Sequence, residues 1–293
     1  MATPLSASVV LTALRAEGVR VVEVGNWRTH NRAGHGAWGP LNGSIVHHTV
    51  TKGTASTVAM VRDGYASLPG PLCHGMIGKD GVVHMVGWGR TNHAGGGDPA
   101  VLAQVIAESY GTRPTPPTKG NANGTDGNSR FYGWECENLG DGKDPWPEAQ
   151  YQAIVRVQAA LCRAHGWSAK SVIGHLEWSS DKVDPRGFTM AQLRADVAER
   201  LKHPASWSPT KTAPAPEKPP APKPTTPAPA PAPSTDDRVK ALHANLLAIG
   251  EIGTTAKGTS SGRVEHGAGY FLAHILEEVR ALRADVAILK KES

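Results

Sequence analysis

Cysteine is scarce in this chain. Cys73, Cys136 and Cys162 are its three cysteines in 293 residues. They cannot all pair within one molecule, and none has zinc-finger spacing, which points to a reduced cytosolic state at synthesis and away from a cysteine nucleophile. An export signal is also missing: Met1-Ala-Thr-Pro-Leu-Ser-Ala-Ser8 has neither a basic start nor a sustained apolar run. No stretch reaches membrane-spanning length, so no membrane insertion is expected. Lysine and arginine are nowhere concentrated together with aromatic residues, which argues against a nucleic-acid partner. The glycine run Ala94-Gly95-Gly96-Gly97 lacks the following Lys-Ser/Thr of a nucleotide phosphate loop. No internal repeat is evident.

What is present is a modestly basic chain, of formal net charge +5 and 39% hydrophobic content. The charge favours an anionic partner such as a polyanion-decorated cell wall. The length and apolar content allow one substantial core and a small appendage. From Lys211 to Pro233 there are ten prolines in 23 residues, a composition that can neither form a helix nor pack a core. Such a tract is an extended, semi-rigid spacer of up to about 70 Å. The expected organisation is therefore an α/β domain over 1–203, a Pro/Ala-rich linker over 204–235 and a short helical module over 236–293. In that module Leu272, Ile275, Val279, Leu282, Val286 and Leu289 form a heptad seam of under three full heptads. It suits cell-wall attachment or homo-oligomerisation, and the sequence does not choose between them.

Within the first domain, helical periodicity predicts helices over Ala7–Glu17, Glu148–His165 and Met190–Lys202, the last with Thr189 as its N-cap. Strands are expected at Val19–Val24, Ile45–His47 and Tyr132–Glu137. A hairpin joins His74–Ile77 to Val82–Val86 through Asp80-Gly81. The Gly-rich segment from Asn26 to Leu41 reads as a loop over the site. This order fits a mixed central β-sheet flanked by helices.

Two distant stretches carry the chemistry. Ser44-Ile-Val-His-His-Thr-Val-Thr51 ends a β-branched apolar run with histidine, where a short strand presents an imidazole at a sheet edge. Gly174-His-Leu-Glu-Trp-Ser-Ser-Asp-Lys-Val-Asp-Pro185 supplies a second histidine and, nine residues later, an aspartate in a tight return. Singly, His47, His48 and His175 are ordinary polar residues. Together, two imidazoles and a carboxylate are a donor set for catalytic Zn²⁺: three N/O ligands leave a fourth position open for water. The strand Gly133-Trp-Glu-Cys-Glu-Asn138 alternates, placing Glu135 and Glu137 on one face.

These motifs resemble those of the zinc-dependent type 2 N-acetylmuramoyl-L-alanine amidases, a family shared by phage endolysins, bacterial cell-wall amidases and animal peptidoglycan-recognition proteins. The resemblance covers roughly residues 20–203. It rests on Val46-His47-His48-Thr49, Gly174-His175 and Lys182-Val183-Asp184-Pro185. It implies that His47, His175 and Asp184 are the metal ligands, with His48 a neighbour. It places the general base at Glu135, the first Glu of the family's Gly-Ile-Glu-x-Glu type strand, and a carbonyl-polarising cation at Lys182. Glu137 becomes a partner that orients a ligand or a loop donor. A tyrosine common in the family corresponds here to Cys73, which leaves more of the proton transfer to Glu135. The run Trp88-Gly-Arg-Thr-Asn-His93-Ala-Gly95 resembles the loop bordering the substrate groove, so Trp88 and His93 are candidate substrate contacts; His93 equally suits a turn-holding role. His30, His35, His84 and His165 read as structural.

By this resemblance the chain is a peptidoglycan hydrolase that cuts the amide between N-acetylmuramic acid and L-alanine. The absence of an export signal suggests a phage endolysin held in the host bacterial cytoplasm until release to the wall. The rivals are a non-catalytic peptidoglycan-binding protein and a cytosolic amidase that recycles muropeptides.

Overall fold

The computed structural model describes residues 2–208. Most of the expected linker, from 209 onward, and the whole module at 236–293 lie outside the described residues. The elements are, in order, α1 (Ala7–Ala16), β1 (Arg20–Glu23), β2 (Gly43–His48), α2 (Thr54–Asp63), β3 (Gly64–Tyr65), β4 (Leu68–Pro69), β5 (Gly75–Ile77), β6 (Val82–Met85), β7 (Gly96–Gly97), α3 (Pro99–Ala107), β8 (Thr125–Asp126), β9 (Phe131–Cys136), α4 (Glu148–His165), β10 (Val172–Gly174), α5 (His175–Trp178) and α6 (Met190–Leu201). Six strands make one mixed sheet in the order β1-β6-β5-β9-β2-β10, parallel throughout except for the β5–β6 hairpin. This is the sheet that the element order leads one to expect.

Local chemistry sets the element ends. Ser6 accepts from the N–H of Val9 to cap α1, and Thr189 accepts from that of Gln192 to cap α6. Gly166, at φ +69°, closes α4 in the left-handed conformation that glycine adopts without strain. Buried β2, with Ile45 and Val46 at its centre, lies between β9 and β10 and suits the β-branched run that predicted it.

Alternation along the strands then divides the core. Val46, Tyr132, Trp134, Cys136 and Val172 pack in the main cluster with residues of α1, α4 and α6. Ile45, Phe131 and Ile173 instead pack with Val101 and Val105 of α3 and Trp178 of α5. His47 and Glu135 follow Ile45 and Phe131 at even spacing, so they stand on this second face, near the C-terminal ends of parallel strands. In open α/β sheets that edge is where ligands bind.

Two expectations need correction. The 26–41 segment is not merely a covering loop, because Trp27 and Leu41 belong to the main core. Strand β9 stops at Cys136, so Glu137 leaves the alternation. Its carboxylate instead accepts from the Gly53 N–H (2.8 Å) and the Thr54 hydroxyl (2.6 Å) at the start of α2.

Candidate metal centre

Each donor reaches the centre by a different route. His47 is the fifth residue of β2, His175 opens α5 directly after β10, and Asp184 sits on the return toward α6. In the ladders Gly174 stands opposite Val46, so His175 emerges beside His47. The Asp184 carbonyl accepts from the Leu176 N–H at 2.8 Å, which folds the 176–184 loop back on itself. His48 points elsewhere: its Nδ1 accepts the Arg186 N–H at 3.2 Å and steadies the chain just beyond Asp184. The α5 turn is braced from below. Glu177 accepts from Gly174 N–H, and Arg194 of α6 grips both Glu177 oxygens at 2.7 and 2.8 Å.

Three atoms converge. His47 Nδ1 lies 2.9 Å from His175 Nδ1 and 3.1 Å from Asp184 Oδ2, and His175 Nδ1 lies 3.2 Å from the same oxygen. Tetrahedral zinc with bonds near 2.0–2.1 Å separates its donors by about 3.3 Å, close to the spacing found.

Hydrogen bonding on the far side of each ring fixes what these atoms carry. His93 Nε2 is 3.2 Å from the Phe131 carbonyl oxygen, which can only accept, so this nitrogen bears the proton. Neutral His93 therefore accepts at Nδ1, and His47 donates to it from Nε2 at 3.1 Å. His175 likewise donates from Nε2 to the Ala94 carbonyl at 3.1 Å. With those tautomers, assigned from the network, both Nδ1 atoms present lone pairs toward a carboxylate oxygen. Three electron-rich atoms facing one another in a buried position call for a cation, and the His-His-Asp group suits one.

Ionisation agrees. Burial pushes His47 down to about 4, helped by the His175 charge and opposed by Asp184. Burial also drives His93 well below the ordinary histidine value, with His47, His74 and His175 adding to the effect. Both rings are neutral near pH 7.

Glu135 stands opposite His47 in the β2–β9 register. Its Oε2 is buried with no hydrogen-bond partner. Burial raises its pKa well above the ordinary 4.5, the Asp184 charge adds to this, and the Lys182 charge opposes it. Lys182 is half-buried two residues before Asp184. Cys73 and Cys136 are buried free thiols whose pKa burial raises, with the Glu135 charge acting in the same direction.

The other expected site residues are placed differently. His93 lies behind His47, on the side away from Asp184, and is 8% exposed. Trp88 is 5% exposed, donates its indole N–H to Leu5 O at 2.8 Å and stacks on Tyr132 in the core. Gly133 is needed beneath His93, because a Cβ there would come 2.3 Å from the imidazole. Sequence reasoning missed Asn128, whose Oδ1 accepts from the N–H of both His93 (2.9 Å) and Ala94 (2.7 Å).

Similar solved structures include N-acetylmuramoyl-L-alanine amidase LysC from Clostridium intestinale URNW, with 16% identity and a TM-score of 0.40 over 61% of this chain and 97% of that one. Hydrolase AmiA of Staphylococcus aureus has 12% identity and a TM-score of 0.41 over 68% of this chain and 93% of its own. AmpDh3 of Pseudomonas aeruginosa, in complex with anhydromuramic pentapeptide, has 17% identity and a TM-score of 0.39 over 60% and 65%. No curated protein sequence matches the chain. The profile of the Amidase_2 family, N-acetylmuramoyl-L-alanine amidase, matches residues 37–187, a stretch that holds all three donors together with Glu135 and Lys182, and the chain belongs to that family.

Proposed function

We propose that His47, His175 and Asp184 hold zinc, and that with it this amidase hydrolyses the bond between the lactyl carbonyl of N-acetylmuramic acid and L-alanine in peptidoglycan. The observation that carries the zinc assignment is the convergence of two imidazole lone pairs and one carboxylate oxygen within 2.9–3.2 Å. Zinc bound there supplies Lewis acidity, polarising the carbonyl and bringing water toward ionisation near neutral pH.

The chain's own groups divide the remaining work. Glu135 takes a proton from the attacking water, a task that its raised basicity favours. The same carboxyl returns that proton to the alanine nitrogen as the C–N bond breaks. The products are a lactyl carboxylate and a free α-amino group on the peptide. Lys182 steadies the negative charge that develops on the carbonyl oxygen.

The wider role we propose is lysis of a host cell by a phage enzyme. The net charge of +5 suits a polyanionic wall, and the proline-rich sequence at 211–233 suits a spacer between catalytic and wall-holding parts. Digestion of purified cell wall tests the reaction. New N-terminal alanine without new reducing sugar is expected; new reducing ends in its place would contradict it. A higher rate on soluble muropeptides than on intact sacculi would favour recycling over lysis.

A further inference from the structure

We propose that Asn128 is the positioning residue of the metal centre, fixing both ligand histidines at once through the His93-Ala94 dipeptide. The proposal rests on the zinc reading above. Its starting point is a branching in the hydrogen bonds. The outer nitrogen of His47 is held by the His93 side chain, and that of His175 by the Ala94 carbonyl. Two consecutive residues thus set the rotation of two ligands that lie 128 positions apart in the chain.

That dipeptide is in turn held by one side chain. Asn128 Oδ1 accepts both of its amide protons, at 2.9 and 2.7 Å, and Asn128 is 8% exposed. Its own position is fixed from the other side. The Asn128 N–H donates to Asp126 Oδ1 at 3.1 Å, and the Arg90 guanidinium grips both oxygens of Asp126 at 2.7 and 3.1 Å. Pairing of β7 with β8, together with Gly127 N–H donating to Gly95 O at 2.8 Å, closes the ribbon that brings the 126–128 and 93–97 segments together.

An amide oxygen at position 128 therefore does what no apolar side chain can. Removing it leaves two buried N–H groups unsatisfied and frees the dipeptide to rotate, carrying away the acceptor of each ligand ring. A carboxylate of the same shape keeps both contacts. Asn128→Asp accordingly serves as the conservative variant and Asn128→Ala as the disruptive one.

Two measurements on the full chain test this. The first is the imidazole ¹⁵N spectrum of the metal-free protein, wild type against Asn128→Ala: the ring signals of both His47 and His175 are expected to change in the variant, and an unchanged spectrum in folded Asn128→Ala would overturn the proposal. The second is zinc affinity by competition with a chromophoric chelator. Asn128→Ala is expected to bind about 10–100-fold more weakly, whereas Asn128→Asp stays close to wild type. Loss of thermal stability alone, with wild-type affinity in folded Asn128→Ala, would also overturn it. If Asn128→Ala does not fold, Asn128→Asp decides: zinc affinity and ring signals like those of the wild type are expected, and loss of either with the fold intact would overturn the proposal. Failure of the wild type to take up zinc would sink the metal reading, while the metal-free spectra of the variants against the wild type still report on the role of Asn128.

Discussion

Glu135 and His47 stand level on adjacent parallel strands, and one oxygen of the Glu135 carboxylate is buried without a partner. A base must be ionised to accept a proton, and burial with the nearby Asp184 charge raises this group well above 4.5. In the metal-free protein this carboxyl should therefore titrate above the usual carboxylate range, and a side-chain ¹³C titration that put it at or below about 4.3 would contradict the burial that favours it as base.

Glu135→Gln keeps the shape of the side chain but cannot accept the proton. It should retain zinc and lose about 10²–10⁴ in kcat. Metal content and turnover measured on the same preparation separate the two effects. Near-normal turnover would move the base elsewhere.

Lys182→Met should also retain zinc. Its loss, about 10²–10³, should fall on kcat more than on KM, because a placed cation acts mainly on charge that develops in the transition state. Steady-state kinetics on soluble muramoyl-peptides checks this, and a change confined to KM would give Lys182 a binding role instead.

His74 makes the fold sensitive to acid. Its Nδ1 accepts from Gly133 N–H and its Nε2 donates to Gly89 O, both at 2.9 Å, so a second ring proton would break the first bond. Burial lowers its pKa from 6.5 to about 4. Because the unfolded chain binds the proton first, this stability is present above pH 6.5 and is lost as pH falls toward about 4. Urea unfolding of the metal-free protein should show that loss. His74→Gln should lessen its slope by up to about 1.4 kcal/mol per pH unit; an unchanged slope would assign the loss to other groups.

Val50 is a β-branched residue at φ +54° and 59% exposed, just beyond the strand that carries His47. The left-handed region is costly for such a side chain. Its neighbours hold it there: Thr49 N–H donates to Cys136 O at 3.1 Å, and Thr51 donates to the Thr49 hydroxyl at 2.8 Å. Val50→Gly is expected to gain about 1 kcal/mol, or about 2–4 °C in Tm. A loss of stability on calorimetry would show that the Val50 side chain makes a contact worth more than the strain.

The donor set was legible because His47, His175 and Asp184 sit in short motifs whose chemistry is local to each segment. Helices α1, α4 and α6 were legible from apolar periodicity and from caps such as Thr189. What escaped were the relations between loops. Nothing periodic marks Asn128 as the partner of His93 and Ala94, or sends His93 behind His47. Trp88 reads as a groove residue in sequence because a loop aromatic looks the same whether it faces solvent or Tyr132. Glu137 misled for a different reason: alternation holds only while the strand lasts, and β9 ends one residue earlier.

Zinc occupancy and catalysis measured in the same samples test the central claim most directly. Metal-free protein is titrated with Zn²⁺ while bound metal and release of N-terminal alanine from purified wall are both followed. One zinc per chain is expected, with activity rising in proportion to occupancy and with Asp184→Ala retaining zinc poorly. Full activity in the metal-free protein would contradict it.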